Sequence, residues 1–308
     1  VGNPPVADIS VSVVIPSYGR HEEVCRAVRS ALAQTVPPLE VVVCNDGPDE
    51  EKSRLLGAIG DERVRFIEAA RSGNASATRN VGVRNARGKW VALLDDDDIW
   101  LPDKLKVQLE IIGRYLSIDP IAVGVEEICG RTGGVQYRPS WIESDLYHVD
   151  EILFRPGGGV NTSTIVARRQ RFLQCPFNEE NDNLLEDVEW LLSAGGHGNV
   201  VCSPIPVVRR VRVSGGGLGH PGRFEEAWTW YKRMKGSITR EGRHDLICIG
   251  LARRASQGAR VRGSWKLVRE LWAEHGLGAK SLVRLMATVW VPRSAKACVR
   301  RRIGCFRR

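Results

Sequence analysis

Apolar residues in the first third of the chain come in short unbroken runs, separated by segments with helical spacing. Val11-Ser-Val-Val-Ile15, Glu40-Val-Val-Val-Cys44, Val64-Arg-Phe-Ile67 and Trp90-Val-Ala-Leu-Leu94 read as strands. Between them, Val24, Ala27, Val28, Ala31 and Leu32 share one helical face, a short helix spans about 49–58, and Gly73–Ala86 reads as a helix stopped at Gly88. Strands that are apolar throughout, rather than alternating, suit a parallel sheet covered on both faces. The rhythm therefore predicts an α/β fold with a mostly parallel sheet flanked by helices. Pro16 is expected to stop the first strand, and Asn45-Asp46-Gly47 to form a turn after the second.

The rest of the chain is less regular. Pro102–Leu116 reads as a helix opened by its proline. Strands are expected at 120–125, 162–167 and 199–208, a loop at Gly157-Gly-Gly-Val-Asn161, and a helix at Leu184–Ala194 closed by Gly195-Gly196. From about 222 onward the pattern is helical, over 222–241, 243–257, 262–275 and 278–291. Two regions follow: 1–220, and a helical C-terminal extension, 221–308.

Charge sets the end of the chain apart as well. The net charge of the 308 residues is +9, but 15 of the 45 Lys/Arg fall in 251–308 against only Glu270 and Glu274. The remainder is slightly acidic, which argues against a uniformly basic nucleic-acid binder, and no nucleic acid partner is expected. In the extension, Trp265, Leu267, Val268, Leu271 and Trp272, then Leu282, Val283, Leu285, Met286, Val289 and Trp290, form broad apolar stripes between Arg and Lys. Such a segment suits attachment to an anionic membrane surface, and equally suits packing on the body or on a second subunit. Eight cysteines without a C-x-x-C pair read as reduced structural thiols of the cytosol. No leader pattern precedes the first strand, and no apolar run approaches about 18 residues. The expected location is cytoplasmic, with the tail offering peripheral attachment at the inner face of the cell membrane.

Ligands of open α/β sheets bind beyond the carboxyl ends of the strands. Three of those ends are polar here: Pro16-Ser17-Tyr18, Asn45-Asp46-Gly47 and Asp95-Asp96-Asp97-Asp98. Four consecutive carboxylates raise one another's pKa or recruit a cation. In an extended segment Asp95 and Asp97 face the same way, and hard oxygen ligands suit Mg2+ or Mn2+, with phosphates completing the shell. The plainer alternative is a solvated acidic loop capping the next helix. Neither a Walker-type loop nor a G-x-G-x-x-G after the first strand accompanies the cluster, and Gly215-Gly-Gly-Leu-Gly219 lacks that spacing, so dinucleotide binding is not expected.

Val11–Asp98 resembles the nucleotide-binding half of family 2 glycosyltransferases, which have the GT-A fold. The resemblance is carried by Val13-Val-Ile-Pro-Ser-Tyr18, Glu40-Val-Val-Val-Cys-Asn-Asp-Gly47, Gly73-Asn-Ala-Ser-Ala-Thr-Arg-Asn80 and Gly88-Lys-Trp-Val-Ala-Leu-Leu-Asp-Asp-Asp-Asp98, in that order. It extends more weakly to Glu186-Asp187, covering about the first 215 residues. It implies a nucleotide-sugar half at about 8–118 and an acceptor half at about 119–220. It further implies an inverting, metal-dependent hexosyltransferase that uses a UDP- or dTDP-sugar rather than a guanosine donor. The acceptor would be a cell-surface glycan or its lipid-linked precursor. Carried over by position, Asp46 would accept a hydrogen bond from the base, near Pro16 and Tyr18. Arg79 and Asn80 would shape the nucleotide pocket. Asp95 and Asp97 would be the D-x-D pair beside Asp96, with Asp97 the direct metal ligand and Asp98 touching sugar or metal. Pro48 departs from the Ser usual after Asp-Gly.

Inverting transfer needs a base for the acceptor hydroxyl and neutralisation of the leaving diphosphate. The resemblance makes Asp187 the base and Glu186 its orienting neighbour. The alternative is acidic residues favoured at a helix start by its dipole. His220, after the glycine cluster, is a further candidate metal ligand. The rival functions are a sugar nucleotidyltransferase, which would want a glycine-rich phosphate loop that Pro16-Ser-Tyr-Gly-Arg20 does not supply, and a non-catalytic membrane- or nucleic-acid-binding protein acting through the basic tail.

Overall fold

The computed structural model describes residues 9–129, 134–180, 184–195, 199–211, 223–257, 259–276 and 278–291. His220 and the basic residues after Val291 lie outside them. The chain forms two compact units, Val1–Leu153 with Gly157–Leu218, and Phe154–Pro156 with Gly219–Arg308.

The first unit contains β1 (Val11–Ser17), α1 (His21–Leu32), β2 (Glu40–Asp46), α2 (Glu50–Gly57), β3 (Val64–Ala69), α3 (Ala75–Asn85), β4 (Trp90–Leu93), β5 (Ile99–Trp100), α4 (Lys104–Arg114), β6 (Ile121–Cys129), β7 (Val135–Arg138), β8 (Leu146–His148), α5 (Val149–Phe154), β9 (Val166–Arg168), α6 (Arg169–Gln174), α7 (Glu186–Gly195) and β10 (Asn199–Val211). One sheet runs β3-β2-β1-β4-β9-β6-β10-β5, with β7 beside β6 and β8 beside β10. Its first four strands are parallel. The short β9 then lies antiparallel to both β4 and β6, while β6 and β10 again pair in parallel, so the sheet as a whole is mixed.

Two turn expectations are corrected. Pro16 does not stop β1; it sits inside the strand, opposite Cys44. The β4 side of β1 pairs only as far as Val14, so the missing proline N–H is not needed there. Asn45 and Asp46 likewise belong to β2, and the turn begins at Gly47 with φ +99°. The expected strand at 162–167 is a 3-10 turn over Thr162–Thr164 followed by β9.

The core forms where β1, β2 and β4 meet their helices: Val13, Ile15, Val41, Val43 and Ala92 are fully buried. Helix α3 reaches β1 closely because Gly82 has no side chain; a Cβ there would lie 2.5 Å from Val14 Cγ1. The cysteines of the described residues are free, and burial pushes the Cys44 and Cys202 thiols up to about 12.

Lys104, at the start of α4, is fully buried with its Nζ unbonded, 3.9 Å from the centre of the Trp100 ring. Burial lowers its pKa well below the ordinary lysine value. The unfolded chain therefore binds more protons than the folded one between that lowered value and 10.5, and stability rises with pH across that window. Lys104→Met is expected to stabilise the protein by about 1–3 kcal/mol at pH 7. The gain should shrink as pH approaches the normal lysine range, which urea melts at pH 7 and 10 would show.

The second unit contains α8 (Phe224–Met234), α9 (Arg240–Asp245), a π-helical turn over Leu246–Leu251, α10 (Ala252–Ala255), α11 (Arg260–His275) and α12 (Ala279–Trp290). Leu246, Ile247, Leu251, Leu267, Leu271, Leu285 and Val289 are buried in it. The broad stripes expected from sequence are therefore split: those leucines face inward, while Trp265, Trp272, Val283 and Trp290 stay exposed.

Candidate active site

The four aspartates follow β4 as a tight turn, closed by the Asp98 N–H donating to the Asp95 carbonyl at 3.2 Å. This overturns the extended geometry on which Asp95 and Asp97 were expected to face one way. Asp96 instead turns into the protein, accepting from Ser17 Oγ at 2.9 Å and Arg20 Nη1 at 2.7 Å. Asp97 is exposed and meets the same Arg20 nitrogen at 2.8 Å. Asp98 is buried and accepts from Ser163 Oγ at 2.7 Å and Asn161 Nδ2 at 2.9 Å, both on Oδ2, leaving Oδ1 without a partner. Burial, reinforced by Asp95, pushes the Asp98 carboxyl up to about 7. Burial also raises Asp96 and Asp97, with Arg20 opposing it in both.

Arg20 stands at the start of α1 with φ +45°, directly after Gly19 at φ +62°; this left-handed pair turns the guanidinium back over the carboxylates. Behind it, the buried Lys52 donates to Ser17 Oγ at 2.9 Å and Asn45 Oδ1 at 2.5 Å. Burial lowers the Lys52 pKa, with Asp49 and Asp96 opposing.

Asp46 accepts from Ser72 N–H at 2.6 Å, Ser72 Oγ at 3.0 Å and Gly73 N–H at 2.8 Å. It therefore pins the loop entering α3. On that loop Arg71 stacks 4.4 Å over the exposed Tyr18 ring and also hydrogen-bonds its hydroxyl. Tyr18 thus follows β1 and Asp46 ends the neighbouring β2, both beside this loop, with Pro16 within β1 two residues before Tyr18.

Arg79 on α3 is buried. It donates through Nη2 to Asp95 at 2.9 Å and through Nη1 to Glu186 at 3.3 Å. Burial acts to lower its pKa, but Asp95 and Glu186 together outweigh that and keep it charged. This one guanidinium joins the end of β4 to the start of α7. Asp187, next to Glu186, has its pKa raised by burial first and by Glu186 second; Thr162 Oγ1 donates to it at 3.4 Å. Leu185, just before the pair, has φ +58°, a costly conformation for a branched residue. Helix α7 is fixed by Trp190, stacked 4.3 Å from Phe172 and 5.5 Å from Phe177, with its Nε1 donating to the Cys175 carbonyl at 2.7 Å.

Asn80 does not point to this cluster. Its amide donates to the Phe177 carbonyl at 2.9 Å and Glu179 Oε1 at 2.8 Å, and accepts from Phe177 N–H at 3.0 Å. It ties α3 to the segment leading toward α7. Sequence reasoning missed Arg20, Lys52, Arg71 and Glu126; it reached Ser17 only as part of a polar strand end, and Asn161–Ser163 only as part of a glycine-led segment without a side-chain role. Ser163 Oγ also accepts from Asp95 N–H at 3.0 Å, so it supports both ends of the aspartate turn. Asn161 bridges Asp98 to Glu126, whose Oε1 meets Arg138 at 2.5 Å and Arg210 at 3.0 Å. Two signals were available: a charged Glu126 inside an apolar strand, and the polar run Asn161-Thr-Ser-Thr164 between buried segments.

Among the described residues no three His, Cys, Asp or Glu side chains form a ready cage for a metal ion. A cation of the Mg2+ class needs only one or two carboxylates when phosphates complete its shell. The exposed Asp97 carboxylate and the orphaned Asp98 Oδ1 fit that requirement.

The Glycosyl transferase family 2 model matches residues 12–174. The succinoglycan biosynthesis protein ExoO of Rhizobium meliloti (strain 1021) is 37% identical over 126 residues, 39% of this chain and 36% of that protein. An Escherichia coli enzyme, UDP-Glc:alpha-D-GlcNAc-diphosphoundecaprenol beta-1,3-glucosyltransferase WfgD, is 30% identical over 105 residues, 34% of this chain and 42% of its own. These matches span well under half of either relative's length. Among solved structures, S. aureus TarS 1-349 in complex with UDP-GlcNAc has a similar fold, with a TM-score of 0.61 over 94% of this chain and 83% of that one, at 16% identity.

Proposed function

The chain belongs to glycosyl transferase family 2, and from that membership we propose that it moves a sugar, with inversion, from a UDP- or dTDP-sugar to a hydroxyl of a glycan or lipid-linked acceptor in polysaccharide synthesis. The observation that carries this reading is Arg79, which holds Asp95 and Glu186 in one site beside Asp187. Carboxylates suited to the donor side and a raised carboxylate suited to proton abstraction are then neighbours. TarS, whose fold is similar, was solved with UDP-GlcNAc, and WfgD is named for a UDP-Glc donor, which supports a uridine nucleotide.

In this reading Tyr18 and Asp46, beside Pro16, receive the base, with Arg71 free to leave the Tyr18 ring. Asp187 takes the proton of the acceptor hydroxyl. The acceptor oxygen bonds to the anomeric carbon as the bond from that carbon to the diphosphate breaks, and the electron pair leaves with the diphosphate. Glu186, fixed by Arg79, orients the base or acceptor. Mn2+ or Mg2+ would be held by Asp97, with Asp98 and Asp95, and when bound supplies charge neutralisation for the diphosphate. His220, outside the described residues, remains a proposed further ligand. No described helix is long and apolar enough to cross a membrane; contact with a lipid-linked acceptor is proposed to occur from the cytoplasmic face.

Calorimetric titration with UDP, dTDP and GDP, each with and without Mn2+, tests the donor site. Binding of a pyrimidine nucleotide that strengthens with Mn2+ and loses that increment in Asp97→Asn is the expected result. No nucleotide binding in either condition would end the transferase reading of this site.

Arg20 gives a second, sharper expectation. Its guanidinium now neutralises Asp96 and Asp97, where a divalent cation would compete with it. In Arg20→Met, Mn2+ alone should bind about tenfold tighter, while UDP without metal should bind more weakly, because the cation proposed to meet the diphosphate in the metal-free site is lost. A purely structural role would weaken both.

A further inference from the structure

The two long helices of the second unit leave an apolar surface uncovered. Val261, Trp265 and Trp272 of α11 are 75%, 73% and 70% exposed. Their spacing of four and seven residues puts them on one side of the helix. On α12, Val283 and Trp290 repeat the seven-residue spacing and are 67% and 47% exposed. The two sets meet, because Trp290 Nε1 donates to Ser264 Oγ at 3.2 Å, directly beside Trp265. Indoles left this open mark a surface that meets something apolar with a wet edge.

Charge says what that partner is. The two acids of α11, Glu270 and Glu274, both turn inward: Glu270 holds Lys232 at 2.8 Å and Lys235 at 3.3 Å, while Glu274 holds Lys235 at 3.1 Å and also Arg243. The outer side of the pair keeps cations, Arg262, Arg269 and Lys280, all exposed. Glu225 of α8 is paired to Lys266 at 2.5 Å and to Arg262 at 3.7 Å, and Asp245 of α9 is paired to Arg284 of α12 at 3.0 Å. Beyond Val291, residues 292–308 add seven Lys/Arg and no Asp or Glu. Tryptophans that insert at headgroup depth, ringed by cations that outnumber the one exposed and already paired acid, fit an anionic phospholipid surface. A protein partner of the same kind would have to present a broad acidic face around an apolar centre.

We propose that the α11–α12 face, centred on Trp265, Trp272 and Trp290, docks on anionic lipid. The proposal rests on the transferase reading only in its purpose, which is to hold the site where lipid-linked acceptors are presented. The test is co-sedimentation of the full chain with phosphatidylcholine vesicles and with vesicles containing 30% phosphatidylglycerol, for the native protein, Trp265→Ser/Trp272→Ser and Arg262→Glu/Arg269→Glu. These side chains are largely exposed, so the variants should fold, and UDP binding by calorimetry checks that independently. The expected result is binding to the anionic vesicles only, weakened by salt and reduced about tenfold or more in both double variants. Binding left unchanged by both variants would overturn the proposal, as would equal binding to the neutral vesicles. A concentration-dependent dimer abolished by the Trp variant, without vesicle binding, would make the face a subunit interface instead. Failure to bind UDP would refute the donor site but leave the vesicle result standing.

Discussion

Asp187→Asn is expected to lower the rate of sugar transfer by about 10²–10⁴, while UDP binding with Mn2+ stays within about twofold of native. The amide keeps the shape of the carboxylate and its place at the head of α7, but it cannot accept the acceptor's proton. The physical basis is the raised pKa, due first to burial and then to Glu186. A base of that kind holds an abstracted proton better than an ordinary carboxylate does. It must be ionised to work, so the native rate should rise with pH through a value above the usual aspartate range, and that limb should be absent from the residual activity of Asp187→Asn. Steady-state rates over pH 5–9, with product resolved from donor hydrolysis, would decide it. An Asn variant retaining more than about a tenth of native kcat would remove Asp187 from the base role.

The nucleotide half was legible because its signals are local. Unbroken apolar runs specify buried strands, and strand ends carry the polar residues, so Asp46 and the aspartate turn could be located from the chain alone. What the chain could not show was orientation. The alternation argument treats Asp95–Asp98 as extended, but the Asp98 N–H closes a turn onto Asp95 and sends Asp96 and Asp98 inward. The groups that receive them, Ser17, Asn161 and Ser163, lie up to 79 residues away along the chain. No periodicity encodes such pairings.

Asn80 and Arg79 make the same point from adjacent positions. Both belong to one quoted motif, yet a turn of about 100° between successive residues separates them on α3. Arg79 reaches the carboxylates, while Asn80 is used up holding Phe177 and Glu179. In the extension, helical spacing correctly gave amphipathic helices. It could not tell which apolar residues the small second unit had room to bury, and Trp265 and Trp272 stayed outside while Leu267 and Leu271 went in.

Arg79→Met should have the largest effect on folding. The methionine fills the aliphatic part of the space and removes the charge that Asp95 and Glu186 share. Arg79 is 3% exposed, so water cannot replace it well. Breaking a buried pair by removing one partner costs about 3–5 kcal/mol. The cost should depend on pH in a definite direction. Without Arg79, Asp187, already raised by burial and Glu186, loses the cation that opposes that rise, so its folded-state pKa climbs further above the unfolded one. A raised carboxylate favours the fold below its unfolded pKa, and that advantage is lost as pH climbs through the folded value. The gap between native and variant urea midpoints should therefore be small near pH 4.5 and grow toward pH 8. Arg79→Lys, which keeps a charge but not the two-pronged reach, should recover part of the loss. A gap under about 1 kcal/mol, equal at both pH values, would mean that the guanidinium is not what joins the two halves of the site.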